Sequence, residues 1–273
     1  MRTLFAAVVA AATAIALAFL LLPIVAIFLR VPVGHLFGQL GDRVTRDALL
    51  VSLKTSAIAH ACVLLVGTPT AYLLARRRFR GRAVVLTLVE LPLVLPPAVA
   101  GIGLLAAFGR FGLLGHQLDA LGIRIGFTQA AVVLAVAFVE SPFYFRGAIA
   151  AFEAVDGALI DAARTLGAGP ARVFARVALP LAAGGLGAAS ALALARGLGE
   201  FGATIIFAGS LQGVTQTLPL AIYAQFAQSF DVALAISALF ILVGAAILVA
   251  LKLFGWLRFG SISPFRPAAS TSS

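Results

Sequence analysis

Few residues in this chain have chemistry to offer, and most of those are charged groups set in apolar surroundings. Arg196 and Glu200 stand four apart in the run Arg196-Gly197-Leu198-Gly199-Glu200-Phe201-Gly202-Ala203-Thr204. On a single helix they would share a face and partly neutralise one another. Such a pair has a reason to exist, because a lone charge in a membrane-crossing helix costs about 2.5–3.5 kcal/mol on insertion scales. Two roles fit it: a structural ion pair turned towards neighbouring helices, or part of a gate or transport path. Gly197, Gly199 and Gly202 suit both, since they let helices approach closely and bend. Glu90 and Glu140 also lie in or near apolar runs, and with Glu200 they are the candidate proton carriers of an ion-coupled secondary transporter. His35, His60 and His116 are scattered without metal-ligand spacing, so no metal site and no intramembrane enzyme is indicated. Cys62 is the only cysteine, which excludes an intramolecular disulfide.

The elements that must hold these residues follow from composition. Residues of the set AVILMFWYC make up 62% of 273, and 11% are charged, against roughly 25% charged in soluble domains. The apolar runs are long and do not alternate, which is the pattern of spanning helices and not of barrel strands. The expectation is an all-α polytopic membrane protein of about six spans: Leu4 to Leu29, Leu49 to Ala75, Ala83 to Phe108, Gln129 to Phe145, Gly184 to Ala208 and Val232 to Phe254. The first could pass for a signal peptide behind Arg2, but its apolar run outlasts a signal core, so it reads as an uncleaved helix. Of the twenty Lys and Arg, thirteen fall on the side of the termini, six on the other, and Arg196 lies within a span. By the positive-inside rule both termini are cytoplasmic. That bias accounts for much of the net charge of +10. The dense run Arg76 to Arg82 reads as a topology lock, not as a nucleic-acid site. One membrane domain, residues 1–260, is followed by a Ser- and Pro-rich tail, 261–273, expected to be mobile.

The longest polar stretch between spans, about Arg146 to Leu181, lies on the cytoplasmic side and holds a candidate hairpin at about residues 152–180. Val155, Leu159, Ala162, Ala163 and Leu166 recur at helical spacing from a start at Asp156. Gly167 and the pair Gly169-Pro170 stop that helix. A second short helix, Ala171 to Ala178, then runs into Pro180. The outcome is an amphipathic hairpin at the membrane surface, which physics alone would allow to be a mere connector.

Spacing adds a resemblance. Asp161-Ala162-Ala163, Gly167, Val177 and Leu179-Pro180 are similar to the cytoplasmic signature of ATP-binding-cassette (ABC) import permeases: Glu-Ala-Ala, three residues, Gly, nine residues, Ile, one residue, Leu-Pro. Asp161 replaces the usual Glu and Val177 the usual Ile. The resemblance implies that Asp161, Ala162, Ala163, Arg164, Gly167 and Pro180 belong to a coupling hairpin seated on a separate ATPase. The chain has no G-x-x-x-x-G-K-[ST] loop of its own.

Within that class, the run from Gly199 to Thr204 and the run Thr215-Gln216-Thr217-Leu218-Pro219-Leu220-Ala221-Ile222-Tyr223 resemble the molybdate/tungstate importer permeases. Glu90-Leu91-Pro92 and Leu95-Pro96-Pro97 are shared with the sulfate permeases. The implied function is import of an oxyanion, molybdate or tungstate, by alternating access; sulfate or thiosulfate is the alternative cargo, and a secondary transporter is a more distant one. The implied partners are a cytoplasmic ABC ATPase dimer carrying ATP and Mg, an external substrate-binding protein, and a second copy of the chain in a bacterial cytoplasmic membrane. The chain itself is expected to bind no cofactor and to catalyse no reaction. Arg196, Glu200, Gly202, Thr204, Thr215 and Thr217 are the candidate path or gate residues. Pro92, Pro96 and Pro97 either break the third span to expose backbone groups or only kink it.

Overall fold

The structure, a computed structural model, describes residues 2–32, Gly34, Gly38 and 41–259. The expected tail 261–273 lies outside the described residues, as does His35. Among the described residues every regular element is helical: α1 Arg2–Arg30, α2 Arg43–Arg76, α3 Arg82–Glu90, α4 Pro97–Phe108, α5 Gly115–Ala120, α6 Gln129–Glu153, α7 Gly157–Thr165, α8 Pro170–Val173, α9 Leu179–Leu198, α10 Gly202–Phe207, α11 Leu218–Phe226 and α12 Phe230–Phe259. Five helical stretches among the described residues are long and apolar enough to cross a membrane, and six if the bent pair α3–α4 is one span. The protein is thus a polytopic α-helical membrane protein. The apolar window of α1 has no buried share within the chain, which leaves its Leu, Ile and Phe side chains for lipid.

Two compact units are present. One comprises α1, the first part of α2, and the chain from Ser210 to Val243. Its core sets Ala48 of α2 against Leu218 and Ala221 of α11 and Ile236 of α12, with Val31 against Ala235 and Ala238. The other holds the rest of α2, α3 to α10 and the end of α12. Its central seam is α6 against α9, running antiparallel. A Cβ on Gly185 would lie 2.6 Å from that of Ala151, and one on Gly147 2.5 Å from that of Ala189. Without side chains there the two backbones come close, as small residues allow in membranes.

Three spans differ from the sequence expectation, each for a local reason. The third is not continuous. α3 passes through a single 3₁₀ turn, Leu91–Leu93, and α4 leaves at 111°, because Pro92, Pro96 and Pro97 remove backbone donors and clash with the preceding turn. The fourth runs on to Glu153, well past Phe145. Pro142 does not end it: the Phe138 carbonyl, which residue 142 would normally bond, accepts a bond from the Ser141 hydroxyl at 3.1 Å. The fifth starts early and stops early. From Pro170 the chain runs through a π-helical turn, Phe174–Ala178, straight into α9, so no second short helix stops before Pro180. The wider turn, with the Leu179 N–H bonded to the Phe174 carbonyl, lets the helix continue past a proline. At the far end, α9 stops at Leu198 and residues 199–201 are non-helical. The stretch 209–231, between the fifth and sixth expected spans, contains α11.

Candidate functional site

The hairpin forms as expected from its punctuation. Asp156 caps α7, its carboxylate accepting the Ala158 N–H at 2.9 Å. Gly167 has φ +81°, a left-handed turn that side chains disfavour. Pro170 opens α8 at its first position. Asp161 pairs with Arg164 at 3.2 Å in the open, so the pair adds little stability. The orientation of the apolar stripe differs from the sequence reading. Val155 and Ile160 face the protein and are buried, and Ala163 is half-buried against the same core. Leu159 and Leu166 face outwards, 49% and 88% exposed, beside exposed Ala162. Pro180 is exposed in the first turn of α9, away from the α7 tip in sequence.

The second cluster lies at the break between α9 and α10. Arg196 and Glu200 pair at 3.0 Å, with Glu200 buried and Arg196 32% exposed at its side chain. They do not share a helix, since Glu200 lies beyond the end of α9. Its second oxygen accepts the Ala203 N–H at 2.7 Å. One carboxylate thus answers a cation in the last turn of α9, where the helix end favours the arginine, and an N–H without a helical partner in the first turn of α10, where the helix end favours the carboxylate. Gly202 abuts α4, where an added Cβ would lie 2.6 Å from Pro97 Cβ. Thr204 is fully buried and its hydroxyl has no hydrogen-bond partner among the described residues.

Thr215 and Thr217 belong to the other compact unit. The Thr215 hydroxyl accepts the Leu211 N–H at 3.0 Å. Thr217 is the N-cap residue of α11, yet its buried hydroxyl makes no cap bond and has no partner among the described residues. The Leu218 N–H is taken instead by Ser52 Oγ at 2.7 Å.

A third cluster was missed from the sequence. His60 of α2 meets Ser190 of α9 at 2.8 Å through Nε2, and its Nδ1 lies 3.6 Å from Glu140 of α6. Glu140 is fully buried, and neither of its oxygens has a hydrogen-bond partner among the described residues. Its other oxygen lies where a side chain at Gly197 would begin, 2.5 Å from an added Cβ. The three residues are 50 to 130 positions apart, so only two weak signals existed: a His and a Glu within apolar runs. Glu90, by contrast, lies 4.0 Å from Arg146 with both side chains exposed.

The profile of binding-protein-dependent transport system inner membrane components matches residues 67–257. The molybdenum transport system permease protein ModB of Mycobacterium tuberculosis is 46% identical over 231 residues, covering 85% of this chain and 88% of the relative. That of Escherichia coli K12 is 46% identical over 178 residues, 65% of this chain and 78% of the relative. The sulfate transport system permease protein CysW of Synechococcus elongatus is 36% identical, covering 70% and 66%. Among solved structures, a bacterial ABC transporter that imports the polysaccharide alginate superimposes with a TM-score of 0.70, covering 96% of each chain at 18% identity. A continuous match that takes in both the hairpin and the helix break, carried by a permease fold, leaves one assignment: the chain belongs to the family of binding-protein-dependent transport system inner membrane components.

Proposed function

We propose that this permease imports molybdate, or its close analogue tungstate, across the cytoplasmic membrane as a homodimer. Both termini face the cytoplasm, an ABC ATPase dimer binds ATP and Mg below, and an external binding protein delivers the anion. The observation that carries the coupling half of this reading is the hairpin's exposed strip of Leu159, Ala162 and Leu166 beside Asp161, Ala163, Arg164 and Gly167. Pro180, in the first turn of α9, lies where the span that carries the hairpin's motion passes out of the π turn. The cargo reading rests on 46% identity to ModB proteins. An oxyanion cannot enter apolar lipid, and hydroxyls such as those of Thr204, Thr215 and Thr217 offer neutral donors to it. Arg196, Glu200 and Gly202 act at the gate formed by the α9–α10 break.

Uptake into vesicles holding the full complex tests the cargo. Tungstate in excess should abolish molybdate uptake and sulfate should leave it unchanged. The likeness to CysW favours sulfate as the second reading, and strong sulfate competition would select it. The coupling role is tested by Gly167→Val, which strains a left-handed turn by about 1–2 kcal/mol, and by Ala163→Trp, which overfills a half-buried contact. Both variants should reach normal membrane levels and lose co-purifying ATPase. Wild-type co-purification and uptake in both would make the hairpin a simple connector. Orientation is read by single cysteines at Phe79, Thr165 and Gln212 in a Cys62→Ser background. Only the one at 212 should react with an impermeant thiol reagent in intact cells, and labelling at 79 would invert the topology.

A further inference from the structure

The arginine-rich turn after α2 makes contacts that a topology signal does not need. Arg82 uses one edge of its guanidinium for two partners. Its Nε donates to the Leu74 carbonyl at 2.7 Å and its Nη2 to Glu153 Oε1, also at 2.7 Å. Leu74 is in the last turn of α2, where carbonyls have no helical partner. Glu153 is the last residue of α6, three before the cap of the hairpin. Arg76, the last residue of α2, donates through Nη2 to the carbonyl of Val155, inside the turn that opens the hairpin. Beneath these bonds, Tyr72 of α2 lies 5.3 Å from the Phe152 ring and 5.0 Å from the Phe174 ring. Phe152 precedes the hairpin and Phe174 follows it, so both legs rest on the same residue of α2.

We propose that Arg82 and Arg76 are positioning residues that clamp the coupling hairpin to the end of the second span, so that a displacement of the hairpin is delivered to α2 and, through Arg82, to α3 and the broken third span. The route is additional to the chain connections, which join the hairpin only to α6 and α9. It rests on the reading of the hairpin as the ATPase contact. A rigid planar fork is essential to it, because Nε and Nη2 must reach a carbonyl and a carboxylate at once. Lysine keeps the charge that sets topology and cannot make both bonds in that geometry.

The test uses the complete transporter in vesicles and reads anion imported per ATP hydrolysed, with the anion that the wild type carries. Arg82→Lys and Glu153→Gln should keep normal membrane levels and normal ATPase co-purification. Arg82→Lys should lower the anion-to-ATP ratio about tenfold, and Glu153→Gln about threefold, while hydrolysis continues. A merely structural role would lower amount or stability and leave that ratio intact. An unchanged ratio in Arg82→Lys would overturn the clamp, and so would loss of ATPase binding in both variants, which would make these residues part of the docking surface. Failure of the wild-type complex to retain any ATPase would overturn the coupling reading itself, and the clamp's role with it.

Discussion

Two of the spans in the larger unit are interrupted, and the interruptions are made differently. Between α3 and α4 the chain turns through 111° around Pro92, Pro96 and Pro97. That corner needs no partner, because the missing N–H groups and the rings forbid a straight helix. Between α9 and α10 there is no proline. The break is held by one buried carboxylate, Glu200, bonded to Arg196 and to the Ala203 N–H. One corner is a property of the backbone; the other lasts as long as a side-chain charge stays paired. The two are in contact, with Gly202 against Pro97 and an added Cβ on Gly101 only 2.9 Å from the Ala203 carbonyl oxygen. A fixed corner therefore buttresses a conditional one, an arrangement suited to a part that changes shape beside a part that does not.

The largest effect should come from Glu200→Ala, which unpairs Arg196 and uncovers the Ala203 N–H. Breaking a buried pair costs roughly 3–5 kcal/mol, and the partial exposure of Arg196 should reduce this to about 2–3 kcal/mol. Thermal unfolding of the purified subunit should show the loss, and Arg196→Ala with Glu200→Ala should regain part of it. If the double variant is stable but transports nothing, the pair serves the gate; full activity of the single variant would remove both roles. Gly202→Val should come next, at about 1–3 kcal/mol from overpacking against Pro97. A neutral result would mean that the two corners are not in tight contact. Pro97→Ala should be the mildest, under about 1 kcal/mol, because the first position of a helix has no intrahelical N–H bond to lose. If a crosslink between α3 and α4 then reports a straightened span, the corner was not fixed by the prolines together.

Legibility in the sequence followed the same division. Spans could be read because they depend on local composition and on residues a few positions apart; Pro92, Pro96 and Pro97 marked a disturbance in the third without deciding between a kink and the corner that the structure has. Hairpin punctuation at Asp156, Gly167 and Pro170 was readable for the same reason. Spacing placed Arg196 and Glu200 together but on one helix, since i,i+4 geometry cannot distinguish a continuous helix from a carboxylate folded back across its end. Periodicity grouped Val155, Leu159, Ala162, Ala163 and Leu166 on the hairpin and left out Ile160, which turns inwards while Leu159 and Leu166 turn out; the direction depends on what the hairpin rests against. Contacts over long sequence separations, such as His60 with Ser190 and Arg82 with Glu153, carried no sequence signal. Each joins common polar residues whose pairing only the packing of α2, α3, α6 and α9 decides.

The π turn at Phe174–Ala178 has a consequence for how the chain tolerates change. Its ladder closes over one more residue than an α-helical turn, so the winding between the hairpin and α9 contains one spare unit. Deleting a single residue there would tighten it to α-geometry with the helices on either side nearly in phase, whereas a deletion within the regular part of α9 would turn the hairpin by about 100° relative to the rest of that helix, with a retraction of about 1.5 Å. The outward strip of Leu159 and Leu166 would then point elsewhere. Along this stretch the phase of the helix, more than the identity of any side chain, is what mutation must leave alone.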